Sequence, residues 1–181
     1  VYSDTALAAA RERYTSALRI ISKSLKSSKE AAKDTVLLAS LLLDVFEKIM
    51  GSKLRTSRSW TSHVNGALAL VRLRGLEKFQ EPSEFRILRC ICSHCVISCV
   101  ASGSPVPKEL NTVRAYIGKC QNFQDPIWRL LDLMINYANI RSKIRRGIFS
   151  KEKYAGVFAE LDLKLQTLEL DTTPSWQYST T

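Results

Sequence analysis

The stretch "TVLLASLLLDVF", residues 35–46, sets the first constraint on this chain. Ser40 and Asp44 interrupt it, and it is too short to span a bilayer. At helical spacing it is apolar on nearly every side between Leu37 and Phe46. A helix without a polar face belongs where other helices cover it, in the centre of a domain. The rest of the sequence must therefore supply amphipathic helices.

Seven segments carry the three- and four-residue apolar spacing that such helices need. The first runs roughly from Asp4 to Leu25, with Leu7, Ala10, Tyr14, Ala17, Ile21 and Leu25 on one stripe. Ser27 and Glu30 have capping-box spacing and open the second, which carries the apolar block and ends near Met50 and Gly51. After the loop "GSKLRTSRS", the third ends at Gly75, where a helix C-terminal glycine belongs. The fourth begins near Pro82 or Ser83 and places Phe85, Leu88, Cys92, Cys95 and Cys99 on one stripe. "SGSPVP" breaks the chain before a fifth helix from about Pro107 to Cys120. Asp125 and Pro126 supply an N-cap and a first-turn proline for the sixth. The seventh starts at Ser150 and shows Tyr154, Phe158, Leu161, Leu165 and Leu168 in steps of four and three. "CVISCV" is β-branched enough to favour a strand locally, but no alternating pattern sustains one.

The expected fold is all-α, about seven helices packed as antiparallel helical hairpins. At 181 residues one domain can bury roughly 70% of the surface its unfolded chain exposes. That domain is expected over residues 1–170, followed by an extended tail, "DTTPSWQYSTT", over 171–181. The first residue is Val1 rather than methionine, so the chain reads as a fragment of something longer.

Five cysteines, Cys90, Cys92, Cys95, Cys99 and Cys120, are an odd number, and four of them fall within ten residues. That clustering favours a reducing compartment over a secreted disulfide scaffold. Thiols beside His94 are zinc-ligand types. On a helix, however, Cys90 and Cys92 point to nearly opposite sides, while Cys92, Cys95 and Cys99 continue a core stripe. No metal site is expected. Catalysis is not expected either, since His63 and His94 are the only histidines and no nucleophile elbow, phosphate loop or H-E-x-x-H motif accompanies them.

The net charge of +10 raises nucleic acid or an acidic partner without choosing between them. The basic groups "KLRTSR" and "RSKIRR" read first as solvated faces. A nuclear-import signal, a nucleic-acid patch and a docking site for an acidic partner are the functional alternatives.

The stretch "SWTSHVNGALALVRLRG", residues 59–75, joins architecture to function. Gly66 and Ala67 remove side-chain bulk from one face and are expected to let a neighbouring helix approach closely. Glycine inside a helix costs about 0.5–1 kcal/mol relative to alanine, and close packing compensates for it. His63 is expected to bridge helices rather than bind metal. Trp60, His63, His94 and Cys95 are the candidate lining of a small-molecule effector pocket.

The pattern of Trp60, His63, Gly66, Ala67, Leu70, Arg74 and Gly75 resembles the fungal-specific transcription factor domain, the regulatory region of fungal zinc-cluster transcription factors. The resemblance extends to "LLASLLLDVFE", "DPIWRLLDLMINYANIRSKI" and "PSWQY". It implies a helical, non-catalytic regulatory domain in the nucleus. Its implied partners are proteins of the transcription machinery, a second copy or a small-molecule effector, with no membrane. In that family a separate six-cysteine, two-zinc module reads DNA. The cysteine spacings here do not match it, so no cofactor is expected in this chain. Zinc and sequence-specific DNA contact would belong to a missing module.

Overall fold

The computed structural model describes the backbone of residues 4–50, 57–120, 125–148 and 151–171. It describes the side chains of residues 5–49, 65–120, 125–148 and 154–171. The described residues form eight α-helices and no strand: α1 (Asp4–Ser24), α2 (Ser28–Ala31), α3 (Asp34–Met50), α4 (Ser57–Arg74), α5 (Pro82–Ser102), α6 (Lys108–Cys120), α7 (Pro126–Arg145) and α8 (Lys151–Leu170). The protein is all-α. "CVISCV" is helical, within α5. The chain divides into two compact units, Val1–His94 and Cys95–Thr181, each described by itself.

In the first unit, α3 packs against α1, α2 and α4. Tyr14 of α1 stacks on Phe46 of α3 with ring centroids 4.7 Å apart, and its hydroxyl donates to the Glu47 carboxylate. The expected second helix is two helices. Ser27 caps as its spacing predicts, accepting the Glu30 N–H at 3.5 Å, but the helix it starts stops at Ala31. The N–H groups of Ala32 and Lys33 close back onto Ser28 and Glu30, and α3 starts afresh at Asp34. The restart sets Asp34 in a first helical turn, at the positive end of the helix dipole and within reach of Arg74.

The all-round apolar α3 is not covered all round. Val36, Leu37, Leu41 and Asp44 are buried, but Leu38, Leu42 and Ile49 are 42%, 68% and 68% exposed. The neighbours of α3 within this unit cover one side of it. That side carries the polar Asp44, bonded to Lys48 and to His94 Nδ1, the latter at 3.3 Å.

In the second unit, ion pairs and hydrogen bonds fix antiparallel registers. Arg114 of α6 pairs with Asp132 of α7 at 2.6 Å, and the Val106 N–H donates to Asn139 Oδ1 at 3.1 Å. Along α7 and α8, Arg129 meets Asp171 at 2.8 Å and Tyr137 meets Phe158 with ring centroids 6.3 Å apart. As one helix advances the other retreats, so these are helical hairpins.

The C-terminus of α5 explains part of the basic segment. Gly103, at φ +66°, closes a Schellman turn in which the Ser104 N–H reaches the Cys99 carbonyl at 3.1 Å. α5 has no basic residue in its own last turn. Arg141 and Arg145 of α7 supply that charge instead, donating to the carbonyls of Val100 at 2.6 Å and Ser102 at 2.8 Å. Two arginines of "RSKIRR" therefore cap a neighbouring helix rather than forming only a solvated face.

Candidate functional site

The motif of residues 59–75 ends in a buried polar cluster of the first unit. Arg74, at the last turn of α4, is 9% exposed. Its guanidinium pairs with the carboxylates of Asp34 and Glu84 and lies over the Phe79 ring, 4.2 Å from the centroid. A planar fork suits this task, because one cation serves two carboxylates and an aromatic face. Gly75 turns the chain at φ +86° into a short 3₁₀ turn, Leu76–Lys78, which sets Phe79 in the core. A Cβ at Gly75 would also collide with the Glu77 carboxylate.

Glu84 completes the cluster. It stands in the third position of α5 after Pro82 and accepts the N–H groups of Glu81 at 2.9 Å and Gln80 at 2.8 Å. That is the glutamate half of a capping box. These backbone donors, Glu81 first, and then the Arg74 charge hold its carboxyl below the usual carboxylate range. Arg74 and Glu84 thus tie the end of α4 to the start of α5, with Asp34 adding α3. The cluster is a fastening: one cation holds two carboxylates from two other helices, and Arg74 and Glu84 are only 10% and 15% exposed at their side chains.

The other motif residues divide. Ala67 is buried and Leu70 half-buried, as a packed face requires. Gly66 differs from expectation: it is exposed, and a Cβ built there meets nothing within 4 Å. Among the described residues no helix comes within contact of that position, so the close-contact reading of Gly66 is corrected. The side chains of Trp60 and His63 lie outside the described residues, as does the loop "KLRTSR" in its backbone up to residue 56. His94 is half-buried and engaged with Asp44, while Cys95 is buried at 2% exposure.

The cysteines follow the core stripe. Cys92, Cys95 and Cys99 are buried and Cys90 is exposed. Burial pushes the Cys99 thiol up to about 11, which suits a packing residue and opposes nucleophilic or ligand chemistry. Among the described residues no group of three His, Cys, Asp or Glu side chains is arranged to hold a metal.

A groove with room for a guest lies elsewhere, in the second unit. α7 and α8 enclose an open apolar groove of about 590 Å³. Leu130, Leu133, Met134 and Tyr137 line it from α7, and Phe158, Leu161 and Leu165 from α8. Among the described residues that line it, Asp162 is the charged one. The sequence signal was a second stripe on α7. Trp128, Leu131, Ile135 and Ala138 fill the core at three- and four-residue spacing, and residues 130, 133, 134 and 137 repeat that spacing one face over.

A family model described as the fungal specific transcription factor domain matches residues 3–177. No curated protein and no solved structure matches the chain. The match takes in every helix of both units, and with them the motif whose arginine and glycine fasten α4 to α5. The chain belongs to the fungal-specific transcription factor domain family and has a role in transcription regulation.

Proposed function

We infer that this chain is the regulatory, non-DNA-reading domain of a fungal zinc-cluster transcription factor. It works in the nucleus, without catalysis, and conveys its signal through protein partners or self-association. The family match over residues 3–177 carries this reading. The burial of the polar groups supports it: Arg74, Glu84 and the cysteine stripe are engaged in packing, where an active site would present them to a cleft. DNA reading belongs to a separate module, and the positive charge of this chain gives only weak, salt-sensitive affinity for nucleic acid.

The test is a fusion of the chain to an unrelated DNA-binding module in fungal cells. Reporter output should change relative to the module alone. Output identical to that of the module alone would overturn the regulatory reading.

The groove between α7 and α8 favours a second reading, a small-molecule receptor. Ligand sites are mostly apolar, span about 300–1,000 Å³ and place a few polar groups among apolar walls. The groove fits that description, with Tyr137 and Asp162 as its polar members. A receptor would show an effector-dependent reporter response that Leu133→Arg removes, whereas a partner-binding domain would respond to no small molecule.

A further inference from the structure

We propose that the groove between α7 and α8 takes a hydrophobic organic cation, with its apolar body along the leucines and its charged nitrogen on Asp162, beside the Tyr137 and Phe158 rings. The proposal rests on the receptor reading of that groove and names the chemical class of the ligand.

The groove has two unlike ends. Leu130 and Leu133 of α7 lie with Leu165 of α8 at one. At the other, Tyr137 and Phe158 stand with ring centroids 6.3 Å apart and planes inclined at 56°. Leu130 to Tyr137 on α7, and Leu165 back to Phe158 on α8, each cover about two helical turns, roughly 10 Å. Asp162 sits between the ends, one turn after Phe158. Helical side chains lean toward the N-terminus of their helix, which inclines its carboxylate toward the Phe158 ring.

Asp162 is an anion without a cation in a chain of net charge +10. One of its oxygens accepts from Gln166 at 2.9 Å, and among the described residues it makes no ion pair. Two cations beside it on the α7–α8 seam, Arg129 and Lys164, serve Asp171 at 2.8 Å and Glu160 at 2.6 Å instead. Its groove neighbours along α8, Phe158, Ala159 and Leu165, are apolar. The second carboxylate oxygen can accept a charged N–H, the stronger kind of hydrogen bond. The ring faces attract the same nitrogen through their negative quadrupole. An anionic ligand would meet the carboxylate with no cation in the lining to offset it. A neutral apolar one would strip water from the carboxylate and return no hydrogen bond.

The test titrates the full chain with three probes of one apolar body: naphthylethylamine, naphthylethanol and naphthylpropionate. The chain's overall charge repels a cation, so a preference for the amine reports a local carboxylate. The amine should bind about three- to thirty-fold tighter than the alcohol, the gain of one exposed ion pair and one ring contact. Asp162→Asn should erase that preference, and Asp162→Lys should turn it toward the propionate, while circular dichroism stays helical. If the lysine variant loses its helices, the asparagine variant alone decides. An alcohol bound as tightly as the amine would overturn the proposal and leave the receptor reading standing. A preference that survives Asp162→Asn would overturn it by placing the amine elsewhere. No binding of any of the three probes would overturn the proposal and the receptor reading of the groove together.

Discussion

Replacing Arg74 by methionine removes one cation from three partners and leaves an apolar stem of similar length. The three losses differ in size. Glu84 is 15% exposed at its side chain, so its charged hydrogen bond is worth about 1.5–3 kcal/mol. The guanidinium over Phe79 adds about 0.5–2 kcal/mol. Asp34 is 41% exposed, and water replaces its partner at a cost of about 0–1 kcal/mol. The methionine side chain recovers some packing. The net expectation is a loss of about 2–4 kcal/mol, at the lower end of what breaking a buried pair costs, because Glu84 keeps two backbone donors. Urea unfolding followed by far-ultraviolet circular dichroism measures it. The loss should also depend on pH. Glu84 has its folded-state pKa depressed, so its contribution is fully present above the ordinary carboxylate range and fades as pH falls through the lowered value. The gap between the native chain and Arg74→Met should therefore narrow on acidification. An Arg74→Met chain as stable as the native one near neutral pH would refute the fastening role. A gap that stays constant into acid would refute its electrostatic basis.

Gly66→Ala should raise stability by about 0.4–1 kcal/mol, measured as a higher urea midpoint, because the site is helical, exposed and open to a Cβ. Gly103→Ala should lower the melting temperature, through about 1–2 kcal/mol for a left-handed backbone and through a Cβ only 2.8 Å from Arg145 Nη1. Elemental analysis of the purified chain should find no stoichiometric zinc. Cys90 faces solvent while Cys92, Cys95 and Cys99 face the core, and four thiols so divided make no tetrahedral set. One tightly held zinc, lost on Cys92→Ala, would contradict that geometry.

Helices were legible wherever local chemistry sets them. Asp125 accepts the Ile127 N–H at 2.9 Å and Pro126 follows, and α7 begins there. Gly75 ends α4 and Pro82 opens α5, as their residue types predict. The missed break after Ala31 has a different origin. Nothing in "SKEAAKDTVLL" forbids one continuous helix, and alanine and lysine favour it. The restart is coupled to Asp34, whose partner Arg74 stands forty positions away and is invisible to any local window.

The same limit governs the candidate site. Composition shows how much apolar surface a helix carries, and the spacing shows on which faces, but neither says which faces find neighbours. α3 and α7 make the point in opposite ways. Reading α3 as apolar all round predicts a central helix, yet it leaves Leu38 and Leu42 exposed and buries Asp44, because His94 of α5 supplies a partner for the carboxylate. α7 has one stripe for the core and a second for the groove, and the two are alike in spacing and in residue type. What separates them is supplied from outside the helix. Trp128 of the first stripe takes the Arg114 guanidinium at 4.8 Å from its ring and is 4% exposed, whereas Leu130 of the second is 40% exposed beside α8. Gly66 follows the same rule in reverse. A glycine at helical spacing is equally compatible with a close helix contact and with open solvent, and only the position of the neighbouring helices decides between them.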